Sequence, residues 1–106
     1  MSEQPSLRLT RAAEADLGAA VGHARSEGPG RAGRLADGVK AALAHLSAWP
    51  SSGRPGRLAG IREYLLPALP FLLPYRVEDG ILVVLRFLHT SRQWPPAPPK
   101  PPKKRA

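Results

Sequence analysis

The apolar residues of this chain change their spacing near Ile61, and that change limits the folds available to it. Before Ile61, two segments carry apolar residues at every third or fourth position, which is the spacing of one helical face. After Ile61, the apolar residues form short runs between prolines and glycines, which is typical of β-strands. The chain is therefore predicted to place helices before most of its strands, in the α+β class.

The first half predicts a short strand followed by a helical hairpin. Residues 7–9 alternate between apolar and basic, which is compatible with an opening strand. Thr10 is a good N-cap for a first helix, and the Gly-Pro-Gly run at residues 28–30 ends that helix near Ser26. A second helix begins after Pro29 or Gly30 and ends at Trp49, because the residue before a proline disfavours helical backbone. One of the two apolar stripes is rich in alanine, whose side chains bury little area, so the hairpin needs another surface to pack on.

The second half predicts a three-stranded meander. Its strands are Ile61–Leu66, Phe71–Val77 and Ile81–Leu88, and the Asp-Gly pair at residues 79–80 favours a tight hairpin between the last two. The last strand is apolar at nearly every position, which favours a central place in the sheet. Pro74 cannot donate to a ladder, so we expect a bulge or a local loss of pairing there. The predicted fold is β-α-α-β-β-β, a small antiparallel sheet with a two-helix hairpin packed on one face.

Length and charge predict one small basic domain with a tail. The chain has 106 residues and a formal net charge of +8, which suits one domain with a modest core. Residues 1–94 are the predicted domain. Residues 95–106, rich in proline and lysine, are predicted to be disordered because they cannot form a core. A basic protein attracts acidic proteins, nucleic acid or anionic membranes, and charge alone does not choose among them.

Several kinds of protein are excluded or disfavoured. The absence of cysteine excludes disulfides, thiolate metal sites and a cysteine nucleophile. The N-terminus lacks the pattern of a secretory signal, and the longest apolar-rich stretch, residues 64–75, is too short to span a bilayer. His23 and His45 have no recurring spacing with carboxylates, so no metal and no cofactor is predicted. We expect a cytoplasmic protein that makes no contact with a membrane.

The polar end of the last strand is the candidate active site. His89 follows the apolar run, where its imidazole could act as a general base, hold a phosphate or cap the strand end. A nuclease that acts without metal also needs a general acid and a cation to balance the charge of the transition state. Arg62 and Arg76 are the candidate cations, whereas neither Tyr64 nor Tyr75 clearly supplies the third group.

Arginines provide two candidate binding surfaces. Four of them belong to the predicted sheet or follow it, and some should share a face and form a basic patch: Arg62, Arg76, Arg86 and Arg92. A half-solvated sheet is also an ordinary place for arginine. The turn-rich segment at residues 51–59 contains Arg54 and Arg57, which are candidate contacts for phosphate or carboxylate, or simply residues of a solvated loop.

A series of short motifs between residues 6 and 94 resembles the toxins of the RelE/ParE superfamily of bacterial type II toxin–antitoxin systems. The motifs are Leu9-Thr10 with Ala13, Ala15, Asp16 and Leu17; Leu46, Trp49 and Pro50; Gly53-Arg54; Gly60-Ile61-Arg62-Glu63; Pro74-Tyr75-Arg76-Val77; Ile81 to His89; and Arg92-Gln93-Trp94. Each motif is weak alone, and their order and spacing together carry the resemblance. It implies a toxin that an acidic, ParD-like antitoxin binds and neutralises.

The resemblance implies one of two activities. RelE-like members cut messenger RNA in the ribosomal A site, whereas ParE-like members poison DNA gyrase. Phe71 and Thr90 stand where RelE-like nucleases carry an arginine and a tyrosine, and the ending with His89, Arg92 and Trp94 is more like the ParE side. The predicted function is therefore ParE-like inhibition of gyrase. The alternatives are a RelE-like, metal-independent endoribonuclease that acts on the ribosome, and a basic nucleic-acid-binding module that is not a toxin.

The predicted partner-binding residues lie in the second half of the chain. An acidic antitoxin, laid into a groove or along the sheet, is expected to contact Arg62, Arg76 and Arg86. Arg92 and Trp94 complete the predicted set. The candidate catalytic residues, should the nuclease alternative hold, are His89, Arg62 and Arg76.

Overall fold

The computed structural model describes residues 6–95 of the chain. Its elements are β1 (Ser6–Leu9), α1 (Arg11–Glu27), α2 (Arg31–Ala48), β2 (Arg54–Pro55), β3 (Arg62–Leu65), β4 (Phe71–Glu78), β5 (Ile81–Val84) and β6 (Leu88–His89). The predicted tail, residues 95–106, lies outside the described residues apart from Pro95. Within residues 6–95, neither helix is long and apolar enough to cross a membrane.

The helical hairpin forms where the apolar spacing predicts it. Thr10 is confirmed as the N-cap of α1, since its Oγ1 accepts a hydrogen bond from the Ala13 N–H at 3.0 Å. Its hydroxyl also donates to the Leu85 carbonyl at 2.8 Å, which joins the start of α1 to the sheet. Gly30 precedes α2 with φ +92°, a left-handed conformation that glycine adopts at little steric cost.

The sheet has the strand order β1-β5-β4-β3-β2. The three strands of the meander pair antiparallel as predicted, and the short β2 pairs antiparallel with β3. β1, however, runs parallel to β5, so the sheet is mixed and the prediction of a wholly antiparallel sheet is wrong on this point. Between β1 and β5 the chain passes through both helices and the strands β2, β3 and β4, a connection long enough to allow a parallel pairing.

The last predicted strand, Ile81–Leu88, is divided in two. Both halves, β5 and β6, pair with β4 on the same side, but residues 85–87 lie opposite only residues 73–74. Three residues against two is the count of a β-bulge. The Pro74 carbonyl accepts from the Leu85 N–H at 2.8 Å, yet proline has no N–H to return. The expected loss of pairing at Pro74 is therefore present, with the extra residue on the neighbouring strand.

The core lies between the helices and one face of the sheet. α2 buries Leu35, Val39, Ala42 and Leu46 along one side. The sheet contributes Leu66, Leu73, Tyr75, Leu82, Val84 and Phe87 to the same cluster. Each large apolar side chain buried in this way stabilises the fold by about 1.5–3 kcal/mol. The predicted α+β class, with a helical hairpin on one face of a sheet, is confirmed.

Candidate functional site

A groove lies between α1 and the end of the sheet. It consists of two adjoining clefts of about 430 and 400 Å³. Both are lined by Ala20, His23, Phe71 and His89. The Phe71 ring stacks on the Phe87 ring, with centroids 4.5 Å apart, and gives the groove an apolar floor. We call this surface the α1 groove.

The rim of the α1 groove is mostly basic. Arg31 and Arg34 line it from the start of α2, and Arg92 lines it from the segment after β6. Glu27 supplies a carboxylate between these groups, with its oxygens 3.4 Å from His23 Nε2 and 3.7 Å from Arg31 Nη1. An apolar floor with cationic edges is suited to an acidic segment that also carries apolar anchors.

Asp16 and Arg86 form a bidentate ion pair beside the groove. Arg86 Nε and Nη2 donate to the carboxylate at 2.6 and 2.9 Å, and the Phe87 backbone N–H donates to it at 3.0 Å. Burial alone would raise the pKa of Asp16, but the hydrogen bonds from Arg86 and Phe87 outweigh it and lower the pKa. The pair therefore fastens the bulge to α1. Arg86, predicted to bind a partner, has its guanidinium occupied within the chain.

His89 lies on the groove with one ring nitrogen already occupied. Its Nδ1 accepts from the Ser91 backbone N–H at 3.1 Å and lies 2.8 Å from Ser91 Oγ. A neutral imidazole that accepts at Nδ1 carries its proton on Nε2. In this tautomer Nε2 is available as a hydrogen-bond donor. The geometry thus suits contact with an anion better than general-base catalysis.

Arg62 and Arg76 point to opposite faces of the sheet. Arg62 is in register with Tyr75, so the two side chains share a face, and Arg62 Nη1 donates to the Gly53 carbonyl at 2.7 Å. Arg76 follows Tyr75 along β4 and therefore faces the other side. Its Nε is 3.6 Å from the Glu78 carboxylate. These two arginines do not form a shared patch.

The candidate catalytic residues do not meet in one site. His89 is opposite Phe71 on β4, whereas Arg62 is opposite Tyr75. These positions on β4 are four residues apart, or about 13 Å along a strand. Arg76 lies on the remaining face. Their use in catalysis stays a prediction that this separation does not support.

Trp94 packs on the sheet face opposite the helices. It is 9% exposed and forms a small cluster with Leu72 and Leu88. Its indole Nε1 has no hydrogen-bond partner among residues 6–95. Of the residues predicted to bind a partner, Arg76 and Arg92 are the ones with exposed side chains. The assignment of all five to a partner stays a prediction.

A second surface is formed by the loop between α2 and β3. The buried Tyr75 hydroxyl donates to the Pro50 carbonyl at 2.6 Å and accepts from the Gly53 N–H at 2.9 Å. Burial raises the pKa of the Tyr75 phenol, which therefore keeps its proton for this donation. One buried side chain thus holds both ends of the turn that leaves α2.

The same loop rests on a buried carboxylate. Glu63 is 2% exposed, and its oxygens accept from Arg54 Nη2 at 3.2 Å and from the Arg57 backbone N–H at 3.3 Å. Gly56 passes so close that an added Cβ would lie 2.6 Å from the Ile61 carbonyl oxygen. These contacts, missed by the sequence interpretation, fix the loop. The signal available was an acidic residue inside a strand, next to a glycine-rich turn.

The side chains that the loop presents to solvent are large. Trp49 is 67% exposed at the end of α2, and Leu58 is 38% exposed. Arg57 is exposed as well, because only its backbone binds Glu63. We call Trp49, Arg57 and Leu58 together the loop surface. The sequence indicated Arg54 and Arg57 as candidate contacts, but placed Trp49 only at the end of a helix and in a family motif.

Similarity to known proteins agrees with this architecture. A sequence model described as the ParE toxin of the type II toxin-antitoxin system, parDE, matches residues 7–94. Protein Y4kP of Sinorhizobium fredii, which is named as a candidate toxin, is 36% identical over 67 residues, covering 63% of this chain and 69% of Y4kP.

Two solved structures share the fold. A chain of the chromosomal ParDE TA system from P. aeruginosa superposes with a TM-score of 0.73 and 32% identity, covering 83% of this chain and 98% of that chain. A chain of the toxin-antitoxin complex RelBE2 from Mycobacterium tuberculosis gives a TM-score of 0.57 and 28% identity, covering 84% of this chain and 94% of that chain. The match to residues 7–94 shows the family: the chain belongs to the ParE toxin family of type II toxin–antitoxin systems.

Proposed function

We propose that this toxin inhibits DNA gyrase by binding it, without chemistry of its own. Membership of the ParE family supports this activity over cleavage of messenger RNA. The observation that carries the proposal is the separation of His89, Arg62 and Arg76: His89 and Arg62 are about 13 Å apart along the sheet, and Arg76 is on the opposite face. A metal-independent nuclease needs its base, acid and cation within contact of one phosphate.

An acidic, ParD-like antitoxin is the proposed partner of the α1 groove. The groove offers an apolar floor at Phe71 and Phe87, and Arg31, Arg34 and Arg92 at its rim. Amphipathic segments commonly bind such grooves through apolar anchors, while charges at the edge guide association. The likeness to chains of the ParDE and RelBE2 systems supports a partner of this kind.

The position of the α1 groove changes which arginines are expected to contact the antitoxin. Arg92 belongs both to the residues predicted from the sequence and to the rim, so it is the first choice for a contact with the antitoxin. Arg62 and Arg86 bind the Gly53 carbonyl and Asp16, so substitution of either would also alter the fold. Arg76 and Trp94 are on the face opposite the helices. Their contribution to antitoxin binding is therefore proposed to be smaller.

RelE-like cleavage is the second candidate, and one observation favours it. His89 and Arg92 line the same cleft, where a donor and a cation could hold a phosphate. This candidate predicts cleavage of ribosome-bound message that is lost in His89→Ala.

One set of assays separates the candidates. Purified toxin should inhibit supercoiling by gyrase and leave ribosome-bound messenger RNA intact, and an acidic protein encoded beside it should relieve growth arrest. Unchanged supercoiling together with cleavage of message would refute the proposal and support the RelE-like candidate. The absence of growth arrest on expression, with nucleic-acid binding retained, would instead support the basic binding module.

A further inference from the structure

The loop surface has the properties of a preformed binding site. Residues 49–61 connect α2 to β3 and contain the two-residue strand β2, which pairs with β3. The backbone of this loop is fixed by hydrogen bonds to the side chains of Tyr75, Glu63 and Arg62. A loop that is already ordered loses little conformational entropy when a partner binds.

The energetic cost of burying the Glu63 carboxylate indicates that the loop it holds has a function. Burial of the Glu63 carboxylate is unfavourable unless hydrogen bonds compensate for lost solvation. Its hydrogen bonds hold Arg54 and the backbone of Arg57, and the side chains of Trp49 and Leu58 on either side remain outside the core. Packing of the hydrophobic core does not account for such a loop, because those side chains contribute little to it.

The exposed side chains have the chemistry of a protein-binding surface. Tryptophan and arginine are the residues that most often dominate the energy of protein interfaces. Trp49 offers a large apolar ring at 67% exposure, and Arg57 offers a cation nearby in the chain. Residues 49–63 carry three arginines and one glutamate, a net charge of +2. The complementary partner is an acidic surface with an apolar depression for the indole.

The loop surface is remote from the α1 groove. α2 has 18 residues, so its two ends are about 27 Å apart. Arg31 and Arg34 of the groove are at one end, and Trp49 is at the other. A short segment that fills the groove leaves Trp49 exposed. Antitoxin and target therefore have separate surfaces available to them.

We propose that the toxin engages its protein target through the loop surface, with Trp49 as the apolar anchor and Arg57 as the contact to a carboxylate. The proposal rests on the proposed function only in taking the target to be gyrase. A second copy of the chain and a nucleic acid are the competing occupants. The oligomeric state and the nucleic-acid binding of the variants distinguish these occupants from a protein target.

The test compares full-length Trp49→Ala and Arg57→Ala with the wild type. Lys40→Ala is the matched control, since it removes an exposed cation from the middle of α2. We expect Trp49→Ala to raise the toxin concentration needed for target inhibition by about 30-fold, the size of an interface hot spot. We expect Arg57→Ala to raise it by about fivefold and Lys40→Ala to leave it unchanged. Affinity for the antitoxin and the thermal unfolding midpoint should be unchanged in all three.

Defined results overturn the proposal. Inhibition by Trp49→Ala equal to that of the wild type would do so, as would equal losses of target inhibition and antitoxin affinity. A change from dimer to monomer with full inhibition would assign the surface to a second copy. Lost binding of nucleic acid with full inhibition would assign it to nucleic acid. If the wild type fails to inhibit gyrase, growth arrest is the readout: arrest that requires Trp49 supports the loop surface with another target, and arrest that does not refutes it.

Discussion

The surfaces at the two ends of α2 differ in whether their polar groups are exposed or bound within the chain. At the Arg31 end, the α1 groove has an apolar floor and exposed charges on its rim. At the Trp49 end, the polar groups of the loop are bound to Tyr75, Glu63 and Arg62. An open groove suits a segment that orders as it binds, whereas a fixed loop suits a partner that is already folded. One small domain can therefore present both kinds of surface.

The greatest loss of stability is expected from a substitution at the groove end. Asp16→Ala would leave the Arg86 guanidinium, which is 30% exposed, and the Phe87 N–H without their acceptor. We expect a loss of about 2–3 kcal/mol in the free energy of unfolding, below the value for a fully buried pair because Arg86 keeps some solvent. Urea titration of Asp16→Ala and of Glu14→Ala, an exposed control on the same helix, measures it. Equal stabilities would show that the ion pair does not hold the bulge.

A smaller loss is expected at the loop end. Tyr75→Phe removes the hydroxyl that binds the Pro50 carbonyl and the Gly53 N–H, at a cost of about 1–2 kcal/mol. Tyr64→Phe is the matched control, because Tyr64 stacks on His45 and does not bind the loop. Amide exchange should quicken at Gly53 and remain slow in α1. Faster exchange at both ends would break the contrast between an open groove and a separately fixed loop.

Charge reversal at the groove rim tests the partner of that end. Arg34→Glu with Arg92→Glu should weaken antitoxin binding by about tenfold, mainly through slower association, and reduce its dependence on salt. Both side chains are exposed, so the unfolding midpoint should fall only slightly, through the lost attraction between Arg92 and Asp16. Arg25→Glu, an exposed change elsewhere on α1, is the control. Antitoxin affinity that matches the wild type at low salt would remove the groove from the proposal.

The smallest effect is the acid response of the groove end. The folded pKa of Asp16 is below its ordinary value of 3.8, so its ion pair stabilises the fold above that pH. This contribution is lost as the pH falls from about 3.8 through the folded pKa. Asp16→Asn should lack this part of the acid destabilisation. Stability profiles between pH 2 and 6 that run parallel for the two proteins would contradict the assignment.

Local patterns predicted most of the elements, and contacts between distant residues escaped them. Apolar spacing located both helices and the meander, and Thr10 was recognised as a cap from its own chemistry. The parallel pairing of β1 with β5 joins residues about 75 positions apart, for which the sequence has no local signal. A bulge or a loss of pairing was expected at Pro74, but the extra residue lies within residues 85–87, on the neighbouring segment of the sheet. A proline marks where pairing fails and does not determine which strand takes the extra residue.

The same limit applies to the candidate sites. His89 was found because an apolar run ends there, but its acceptor role at Nδ1 depends on Ser91. From the sequence, Arg86 was expected to be free to bind a partner, but in the fold it pairs with Asp16, which is 70 residues away along the chain. His23, considered only as a metal ligand, lines the groove with His89. Residue types indicated which groups are reactive or charged, and only the fold shows which of them are already bound.

The length of α2 has a consequence for how such a toxin can change over generations. Substitutions at Arg34 and at Trp49 are separated by most of an 18-residue helix, so neither alters the surroundings of the other. Under the proposed use of the two surfaces, a lineage could exchange its antitoxin by altering the groove end while the loop end keeps its target. Variants that escape neutralisation and variants that lose toxicity should accumulate at different ends of the same helix.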